Sequence, residues 1–338
     1  MIDYMLIIPI LASFLIAFAI LPLWIRKAKQ IGLLWGDMNK LSSNKVAGSG
    51  GIVTVLGFIV GTLLFIAYRV FYLKSTDAII ESLALLNVVL IASGIGLIDD
   101  LLGWQRGGLS RRSRLLMMLF AAIPLMVINA GHDSLNIPFL GAVNIGIIYP
   151  LIIIPLGIIG ATTTFNFLAG FNGLEAGQGI IIIGGLSFVS FFTGSSWLSI
   201  IGLCMVASLA AFLWYNKVPA KVFPGDVLTY SVGSLIAVMA VLGNFERIAV
   251  FFFIPYIIET VLKARGGLVK QSFGVPKKDG SLDLKYPKIY GLTHLSIWIM
   301  KRIGIKPTEK RAVLMIWAFQ IVIVIIGIWI FRDGIFIR

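Results

Sequence analysis

The chain has 338 residues, of which 59% are hydrophobic and 13% charged, and its mean hydropathy is +0.99. Apolar runs of about 20 residues, the length that crosses a bilayer core, recur along it, so the sequence predicts a polytopic membrane protein. The net charge of +13 does not indicate nucleic-acid binding, because the Lys and Arg residues lie between the apolar runs. The single cysteine, Cys204, excludes an intrachain disulfide framework and a cysteine-based metal site.

The apolar runs predict about ten transmembrane helices, and therefore an all-α polytopic fold in one domain over residues 1–338. The first run follows Asp3 and lacks a basic leading segment and a small-residue cleavage site, so we expect a retained span, not a signal peptide. The predicted spans are 4–24, 49–72, 79–98, 114–130, 148–169, 178–193, 198–215, 227–243, 247–264 and 310–331.

The loops between these spans differ in charge. On one side of the predicted membrane they carry 23 of the 28 Lys and Arg residues, and the positive-inside rule assigns that side to the cytoplasm and both termini to the outside. Among the opposite loops, residues 131–147 contain two short apolar stretches that predict a small external hairpin. The cytoplasmic segment 265–308 combines turn residues with an amphipathic stretch at 294–305, which we expect to lie at the membrane interface.

The acidic pair Asp99 and Asp100 ends the third predicted span, in the motif GLIDDLLG, after a run without charge from Leu83 onward. Acidic residues at this depth are costly and are usually paired or functional. Solvation just beyond the helix end is the ordinary alternative for a single aspartate. Two adjacent carboxylates repel each other, however, and need a cation, a proton or an arginine nearby, and a hard divalent ion would suit them.

A third acid, Asp226, stands where the eighth span begins, in VFPGDVLTY, and its ordinary role there is an N-cap. Capping does not exclude metal binding, and the predicted topology puts Asp226 on the same side as Asp99 and Asp100. That side also carries the polar residues Asn166, Asn172, Glu175 and Gln178. Carboxylate and amide oxygens are ligands that Mg²⁺ accepts, usually together with substrate phosphates.

The stretch FNFLAGFNGLEAGQG, residues 165–179, follows the fifth apolar run. Asn166 and Asn172 lie six residues apart, about 600° of helical turn, so they would not share one face of a continuous helix. Gly170 and Gly173 allow the backbone to break between them. One amide can then face an ion while the other lines a cytoplasmic pocket; a glycine-rich loop with ordinary caps is the alternative.

Basic residues fall on this same side, in GDMNK (36–40) and LSRRSR (109–114), and they are Lys40, Arg111, Arg112 and Arg114. Any one of them alone is typical of residues that orient a membrane protein or contact anionic lipid. If the acids on the same side bind a metal ion, these basic residues together fit a diphosphate substrate, because such a substrate needs both positive side chains and a metal.

The motifs GLIDD, FNFLAGFNGLEAGQG and KVFPGDVLTY, in this order and on these spans, resemble those of the polyprenyl-phosphate N-acetylhexosamine-1-phosphate transferases. NGLEAGQ, GDMNK and the spacing to VFPGD are similar to the eukaryotic and archaeal branch, the UDP-GlcNAc:dolichyl-phosphate GlcNAc-1-phosphate transferases. The resemblance covers about residues 30–265. It implies ten transmembrane helices, dependence on Mg²⁺ with Mn²⁺ as a substitute, and a cytoplasmic active site in a membrane-lipid environment.

The resemblance further implies a reaction. Members of this branch transfer GlcNAc-1-phosphate from UDP-GlcNAc to a polyprenyl or dolichyl phosphate, release UMP and start a lipid-linked oligosaccharide for N-glycosylation. By position, Asn166 and Asp226 resemble the Mg²⁺ ligands and Asp99 and Asp100 the catalytic acidic pair, while Lys40 is similar to a catalytic-site lysine.

The substrate-binding positions also follow from the resemblance. Gly170 and Asn172 resemble uracil-binding positions and Phe223 the ring that stacks on uracil, with Met38 near the same pocket. Glu175, in the same motif, joins this substrate-binding set.

Two positions depart from the family pattern. Arg114 stands where the eukaryotic members have a lysine after the acidic pair, and the loop before it is longer here. The eukaryotic enzymes place Arg and His near the sugar in the last large cytoplasmic loop, and the bacterial branch carries a histidine-rich motif there. The matching stretch in this chain reads QSFGVPKK (271–278), so the acetamidosugar pocket is the part of the site for which the resemblance gives the weakest match.

The expected reaction is one in-line displacement, in which the lipid phosphate attacks the β-phosphorus of UDP-GlcNAc while Mg²⁺ on Asp226 and Asn166 neutralises the leaving UMP. Asp99 is expected to deprotonate or orient the acceptor phosphate, and Asp100 to help place the metal or a lysine. A covalent aspartyl intermediate is the open alternative. The amphipathic stretch at 294–305 would guide the lipid.

Other functions stay open on the sequence. A secondary transporter would use the acids for coupling ions, although it predicts acids near mid-membrane and two related halves. A bacterial-type transferase would use another UDP-amino sugar and undecaprenyl phosphate. The compact chain without a retention signal favours an archaeal plasma membrane over the endoplasmic reticulum, and the sequence is compatible with a homodimer.

Overall fold

The computed structural model of the protein describes residues 4–41, 45–131, 134–137 and 141–336. A short 3-10 turn at Tyr4–Leu6 leads into the first helix, and π-helical turns at Tyr68–Tyr72 and Tyr149–Ile153 adjoin the second and fifth. Over the described ranges the α-helices are α1 (Ile7–Ile31), α2 (Gly51–Ala67), α3 (Ile79–Arg106), α4 (Arg111–Val127), α5 (Ile154–Phe167), α6 (Leu174–Phe192), α7 (Ser196–Asn216), α8 (Gly225–Gly243), α9 (Glu246–Phe252), α10 (Ile254–Arg265), α11 (Leu292–Arg302), α12 (Glu309–Ile330) and α13 (Arg332–Phe336).

Three antiparallel pairs of short strands connect some of these helices. They are β1 (Leu34–Gly36) with β2 (Lys45–Ala47), β3 (Ser134–Ile137) with β4 (Gly141–Asn144), and β5 (Val275–Pro276) with β6 (Leu282–Asp283). The β3–β4 pair confirms the hairpin expected in 131–147, while residues 132–133 and 138–140 of that loop lie outside the described residues. The position of this hairpin outside the cell stays a prediction.

Eight helical segments in the described part of the chain are long and apolar enough to cross a membrane, which confirms an all-α polytopic membrane protein. They are built on α1, α2, α3, α5, α6, α7, α8 and α12. The other two predicted spans correspond to α4, which has 17 residues, and to α9 and α10, which separate at Phe253. Pro255 is the second residue of α10 and cannot donate a backbone hydrogen bond back to α9. The count of ten spans therefore stays a prediction.

Helix α8 lies at the centre of the bundle. It is buried without interruption from Val227 to Val241 and packs against α3 and α5, which is why it is apolar on nearly every face. A small residue lets α3 approach closely, since a Cβ at Gly96 would lie 2.5 Å from the carbonyl oxygen of Asp226. This contact holds the second half of α3 against the first turn of α8.

Two of the helix boundaries that differ from the prediction change the surroundings of site residues. Helix α3 does not end at residue 98 but continues to Arg106, so Asp99 and Asp100 lie inside it and are 2% and 9% exposed. Helix α6 begins at Leu174 instead of residue 178 and therefore includes Glu175. In both cases the polar residues do not end the helix, because their side chains find partners within the protein and not in solvent.

The segment 265–308 folds back on the helical bundle. After the β5–β6 hairpin, α11 buries its apolar face, which includes Ile297 and Met300, and this confirms the amphipathic helix; its position at the membrane interface stays a prediction. Asp283 on β6 pairs with Lys277 at 2.6 Å and with Lys301 on α11 at 2.5 Å. Hydrogen bonds from these two ammonium groups lower the pKa of Asp283.

Candidate active site

A cavity of about 720 Å³ opens where the second half of α3, the end of α5 and the first turns of α6 and α8 meet. The loops at 35–38 and 271–273 form its other walls. Every residue that the family resemblance assigned to a site lines this cavity except Lys40, and Gln178, Arg111 and Arg112, which the sequence placed on the same side, do not line it. The predicted residues that line it are Met38, Asp99, Asp100, Arg114, Asn166, Gly170, Asn172, Glu175, Phe223 and Asp226.

Three groups hold the Asp99 carboxylate. Its Oδ2 forms an ion pair with Nε of Arg114 at 2.6 Å and accepts a hydrogen bond from the hydroxyl of Tyr230 at 3.3 Å. Its Oδ1 accepts the backbone N–H of Leu109 at 2.7 Å. The acidic pair needs a positive charge nearby, and Arg114 supplies it to Asp99. Asp99 therefore does not depend on a metal for its charge balance.

Asp100 performs the capping that we expected of Asp226. Its Oδ1 accepts the backbone N–H of Asp226 at 2.7 Å and its Oδ2 that of Val227 at 3.4 Å, which places the carboxylate at the positive end of α8. Pro224 occupies the N-cap position of α8 without a side-chain cap. The N-cap prediction for Asp226 is wrong, because Asp100 from α3 takes that role and the Asp226 side chain bonds Asn166.

Asp226 and Asn166 are in direct contact. Asn166 Nδ2 donates to Asp226 Oδ1 at 2.6 Å and to Thr229 Oγ1 at 3.1 Å, and both side chains are half-buried. Rotation of the amide about its terminal torsion presents its oxygen beside the carboxylate, so the pair fits a ligand set that Mg²⁺ accepts. No cluster of three or more His, Cys, Asp or Glu side chains suited to a metal occurs in the described ranges. Water and substrate phosphates would therefore complete the coordination shell.

The chain breaks between α5 and α6, as the glycines predicted. Gly170 has φ 132° and Gly173 has φ 88°, both in the left-handed region that favours glycine. The N–H of Gly170 donates to Glu175 Oε1 at 2.7 Å, and the N–H of Gly173 donates to Asn216 Oδ1 at 2.9 Å. The break places Asn166 beside Asp226 and carries Asn172 to a different wall of the cavity.

That second wall holds the residues predicted to contact uracil. Asn172 Nδ2 donates to Asp37 Oδ2 at 2.9 Å, and Met38 and Phe223 also line the cavity. Glu175 Oε2 is buried and has no hydrogen-bond partner among the described residues. The geometry gathers these residues, while their contact with a nucleotide stays a prediction.

Lys40 is outside the cavity lining. Its ammonium pairs with Glu309, the first residue of α12, which is 4% exposed. Glu309 Oε1 also accepts the backbone N–H of Asn172 at 2.9 Å and Nδ2 of Asn39 at 3.3 Å. The catalytic role of Lys40 stays a prediction, and the contact that the structure gives it is this ion pair.

Four residues at or beside the site were not found from the sequence: Asp37, Asn39, Lys263 and Glu309. Asn39 bridges three segments, because it donates to Gly170 O at 3.1 Å and to Glu309, and its Oδ1 accepts the N–H of Gly274 at 3.2 Å. Lys263, on α10, is 9% exposed and lines the cavity. The sequence signals that could have indicated two of them are the position of Lys263 inside an apolar run and that of Glu309 at the start of the last span.

His294 supports the cavity wall from outside. It is fully buried, and its Nε2 lies 3.3 Å from the carbonyl oxygen of Phe273, one of the lining residues. Burial lowers the pKa of His294, which keeps the ring neutral near pH 7. The histidine therefore positions the 271–273 loop and does not line the cavity.

Comparison with known proteins assigns the chain to a class. A family model described as "Glycosyl transferase family 4" matches residues 82–244, a range that contains the acidic pair, the 165–179 stretch and Asp226. The chain belongs to this family of glycosyl transferases, within which it is a member of the polyprenyl-phosphate N-acetylhexosamine-1-phosphate transferases. The resemblance based on the three motifs is confirmed.

The relatives indicate which branch is nearer. A Saccharolobus solfataricus protein provisionally named a UDP-N-acetylglucosamine–dolichyl-phosphate N-acetylglucosaminephosphotransferase is 35% identical over 326 residues, 95% of each chain. The Dictyostelium discoideum enzyme of that name is 29% identical over 299 residues, 77% of this chain and 71% of its own. A Geobacillus phospho-N-acetylmuramoyl-pentapeptide-transferase is 26% identical over 342 residues, 98% and 99% of the two chains. This bacterial relative is more distant than the Saccharolobus protein.

Proposed function

We propose that the protein transfers GlcNAc-1-phosphate from UDP-GlcNAc to a dolichyl or related polyprenyl phosphate, releases UMP and so starts a lipid-linked oligosaccharide for N-glycosylation. The observation that carries this proposal is the contact of Asp226 with Asn166 in the cavity that also contains the Asp99–Arg114 ion pair. The archaeal and Dictyostelium relatives named for this reaction support the choice of substrates.

Asp226 and Asn166 are the residues that would hold Mg²⁺, with Mn²⁺ as a substitute. The ion, when bound, would neutralise charge on the diphosphate and on the leaving UMP. The support for this proposal is the donor set itself, one carboxylate and one amide in contact at the cavity surface. Capping of α8 by Asp100 leaves the Asp226 side chain available for that purpose.

The acidic pair favours a direct displacement. In this route an oxygen of the lipid phosphate bonds to the β-phosphorus, and the bond from that phosphorus to the oxygen bridging to the α-phosphate breaks, so UMP leaves with that oxygen. A covalent route would use an oxygen of one of these aspartates as the nucleophile, and hydrogen bonds that the oxygen already accepts weaken it for that role. Both oxygens of Asp100 accept N–H groups, and both oxygens of Asp99 have partners.

Asp99 would orient or deprotonate the acceptor phosphate. Its three partners fix the carboxylate in place, and Arg114, which is 36% exposed, brings a positive charge to the same part of the cavity. A guanidinium beside a carboxylate at the cavity surface suits an incoming phosphate, because Arg donates in a fixed fork that matches phosphate oxygens.

The nucleoside would occupy the second wall. Gly170, Asn172 and Phe223 would bind uracil, with Met38 at its edge and Glu175 holding the Gly170 backbone. This division puts the nucleoside on the glycine-rich loop and the diphosphate near Asp226. The support for this division is the set of positions that match the family and the separation of the cavity into the two walls described above.

The proposed location is an archaeal plasma membrane, with the cavity open to the cytoplasm; the endoplasmic reticulum is the alternative. The loops that surround the cavity are the basic loops of the sequence, which supports the cytoplasmic side. A homodimer stays a prediction.

The test is a transfer assay on the purified protein. Radiolabelled UDP-GlcNAc and dolichyl phosphate are expected to give a lipid-soluble product and one UMP per transfer. Asp226→Asn should abolish both, whereas Asp283→Asn, which changes an acid on β6 away from the cavity, should not. Product formed with undecaprenyl phosphate and a different UDP-amino sugar, and not with these substrates, would support the bacterial-type alternative. Movement of substrate across vesicles without product would support a transporter.

A further inference from the structure

Lys263 is a buried lysine on the wall of the cavity. It lies on α10, is 9% exposed, and its Nζ donates to Ser272 Oγ at 2.6 Å and to the carbonyl oxygen of Lys270 at 3.2 Å. An ammonium group has three N–H donors, and these two bonds use two of them. A lysine is seldom buried unless its charge has a partner or a function.

The carboxylate nearest to Lys263 balances its charge incompletely. Glu259 Oε1 is 3.8 Å away, which is beyond hydrogen-bond distance. Glu259 Oε2 accepts the backbone N–H of Leu292 at 2.6 Å instead, while Oε1 has no hydrogen-bond partner among the described residues. Lys263 therefore keeps a donor and part of its charge for a group in the cavity.

The charges that line the cavity show why an extra cation matters. Of the described lining residues, five are acidic and two are basic, namely Arg114 and Lys263. Arg114 is already paired with Asp99 at 2.6 Å. A phosphate entering this cavity meets several carboxylates, so a second cation besides Arg114, whose charge Asp99 partly balances, would favour its binding.

A short hydrogen-bond path links Lys263 to the proposed diphosphate end. Ser272, which accepts from Lys263, donates to the carbonyl oxygen of Phe167 at 3.4 Å, and Phe167 directly follows Asn166. The ammonium thus lies two hydrogen bonds from the backbone next to the Asn166–Asp226 pair. The 271–273 loop that it holds is the stretch where the family pattern of charged sugar-loop residues is missing from this chain.

We propose that Lys263 is a substrate-binding residue whose Nζ contacts a phosphate oxygen of one of the two reaction substrates. The inference rests on the proposed function in that both substrates carry phosphate. Lys263 on α10 would then supply the positive charge that the 271–273 loop, which consists of Gln271, Ser272 and Phe273, does not carry.

Lys263→Gln tests the proposal. Glutamine removes the charge but keeps N–H groups for Ser272 and Lys270, and Lys277→Gln is the matched control, because Lys277 pairs with Asp283 and lies outside the cavity lining. The loss of a charge-assisted hydrogen bond should weaken phosphate binding about tenfold or more. A rise of that size in KM for UDP-GlcNAc identifies the nucleotide diphosphate as the partner, and the same rise in KM for the polyprenyl phosphate identifies the lipid.

A binding measurement distinguishes loss of the Lys263 charge from structural damage to the cavity. Calorimetric affinities for UDP and for uridine are compared in EDTA, so that neither metal nor turnover contributes. If the partner is the nucleotide diphosphate, Lys263→Gln weakens UDP binding and leaves uridine binding unchanged. Equal weakening of UDP and uridine, or both KM values within twofold of the wild type, overturns the proposal.

A second variant guards against misfolding. Glu259→Gln keeps the lysine and removes the neighbouring charge, and it should leave both KM values within about twofold. If Glu259→Gln raises KM as much as Lys263→Gln, the lysine is part of a structural ion pair and the proposal is wrong. Lack of GlcNAc transfer by the wild type would count against the proposed function, whereas the UDP and uridine comparison still tests Lys263.

Discussion

Glu309→Ala is expected to weaken nucleotide binding although Glu309 does not line the cavity. Glu309 accepts the N–H of Asn172, which is 6% exposed, and the substitution leaves that N–H buried without its acceptor, at a cost of about 1–3 kcal/mol. The ion pair with Lys40 adds about 1 kcal/mol or less, because the Lys40 side chain is 30% exposed and solvent screens it. If about 2 kcal/mol of this total falls on the nucleotide-bound state, KM for UDP-GlcNAc rises about 30-fold.

The assay is UMP release at saturating polyprenyl phosphate. Glu309→Gln keeps an oxygen that accepts from Asn172 and loses the charge facing Lys40, so its KM should rise less than about fivefold. Asp283→Ala also removes an acid that holds two lysines, but outside the cavity, and its KM should match the wild type. A normal KM in Glu309→Ala together with a lower melting temperature would contradict this prediction and show that Glu309 stabilises the fold without positioning the nucleotide wall.

Two further substitutions test the acidic pair. Gly225→Ala should lower kcat at least about tenfold, because Gly225 has φ 71° and a methyl group there would collide with the Asp100 carboxylate; single-turnover UMP release checks it, and an unchanged rate would count against a rigid cap on α8. Tyr230→Phe should lower kcat about two- to fivefold, because Arg114 and the Leu109 N–H still hold Asp99. A hundredfold loss in the same assay would show that the hydroxyl does more than orient Asp99.

Local sequence signals predicted the parts of the site that belong to single segments. Left-handed glycines at 170 and 173 account for the break that separates Asn166 from Asn172, and an acidic doublet inside an apolar run required a cation such as Arg114. The first inference succeeds because the backbone conformation of a glycine is a local property of the chain. The second succeeds because two adjacent carboxylates repel each other wherever they lie, so some nearby group must balance their charge.

Contacts between distant segments could not be predicted in this way. Asp100 caps a helix that begins about 126 positions later, and Glu309 accepts from Asn172 across 137 positions. An N-cap rule considers the residue at the start of its own helix, so it selected Asp226 when a neighbouring helix supplied the cap. Lys263 is one of the basic residues on the predicted cytoplasmic side, and the sequence gives it no place on the cavity wall because that place depends on how α10 packs beside the 271–273 loop.

The proposed function requires Asp226 and Asn166 to hold one divalent cation on which phosphate transfer depends. The most direct measurement is the Mg²⁺ concentration that gives half-maximal UMP release, determined after removal of metal with EDTA, for the wild type and for Asn166→Ala. We expect no release in EDTA, full recovery of the wild type with Mg²⁺, and a shift of at least about tenfold to higher Mg²⁺ in Asn166→Ala. Release that persists in EDTA, or the same Mg²⁺ requirement in both proteins, would contradict it.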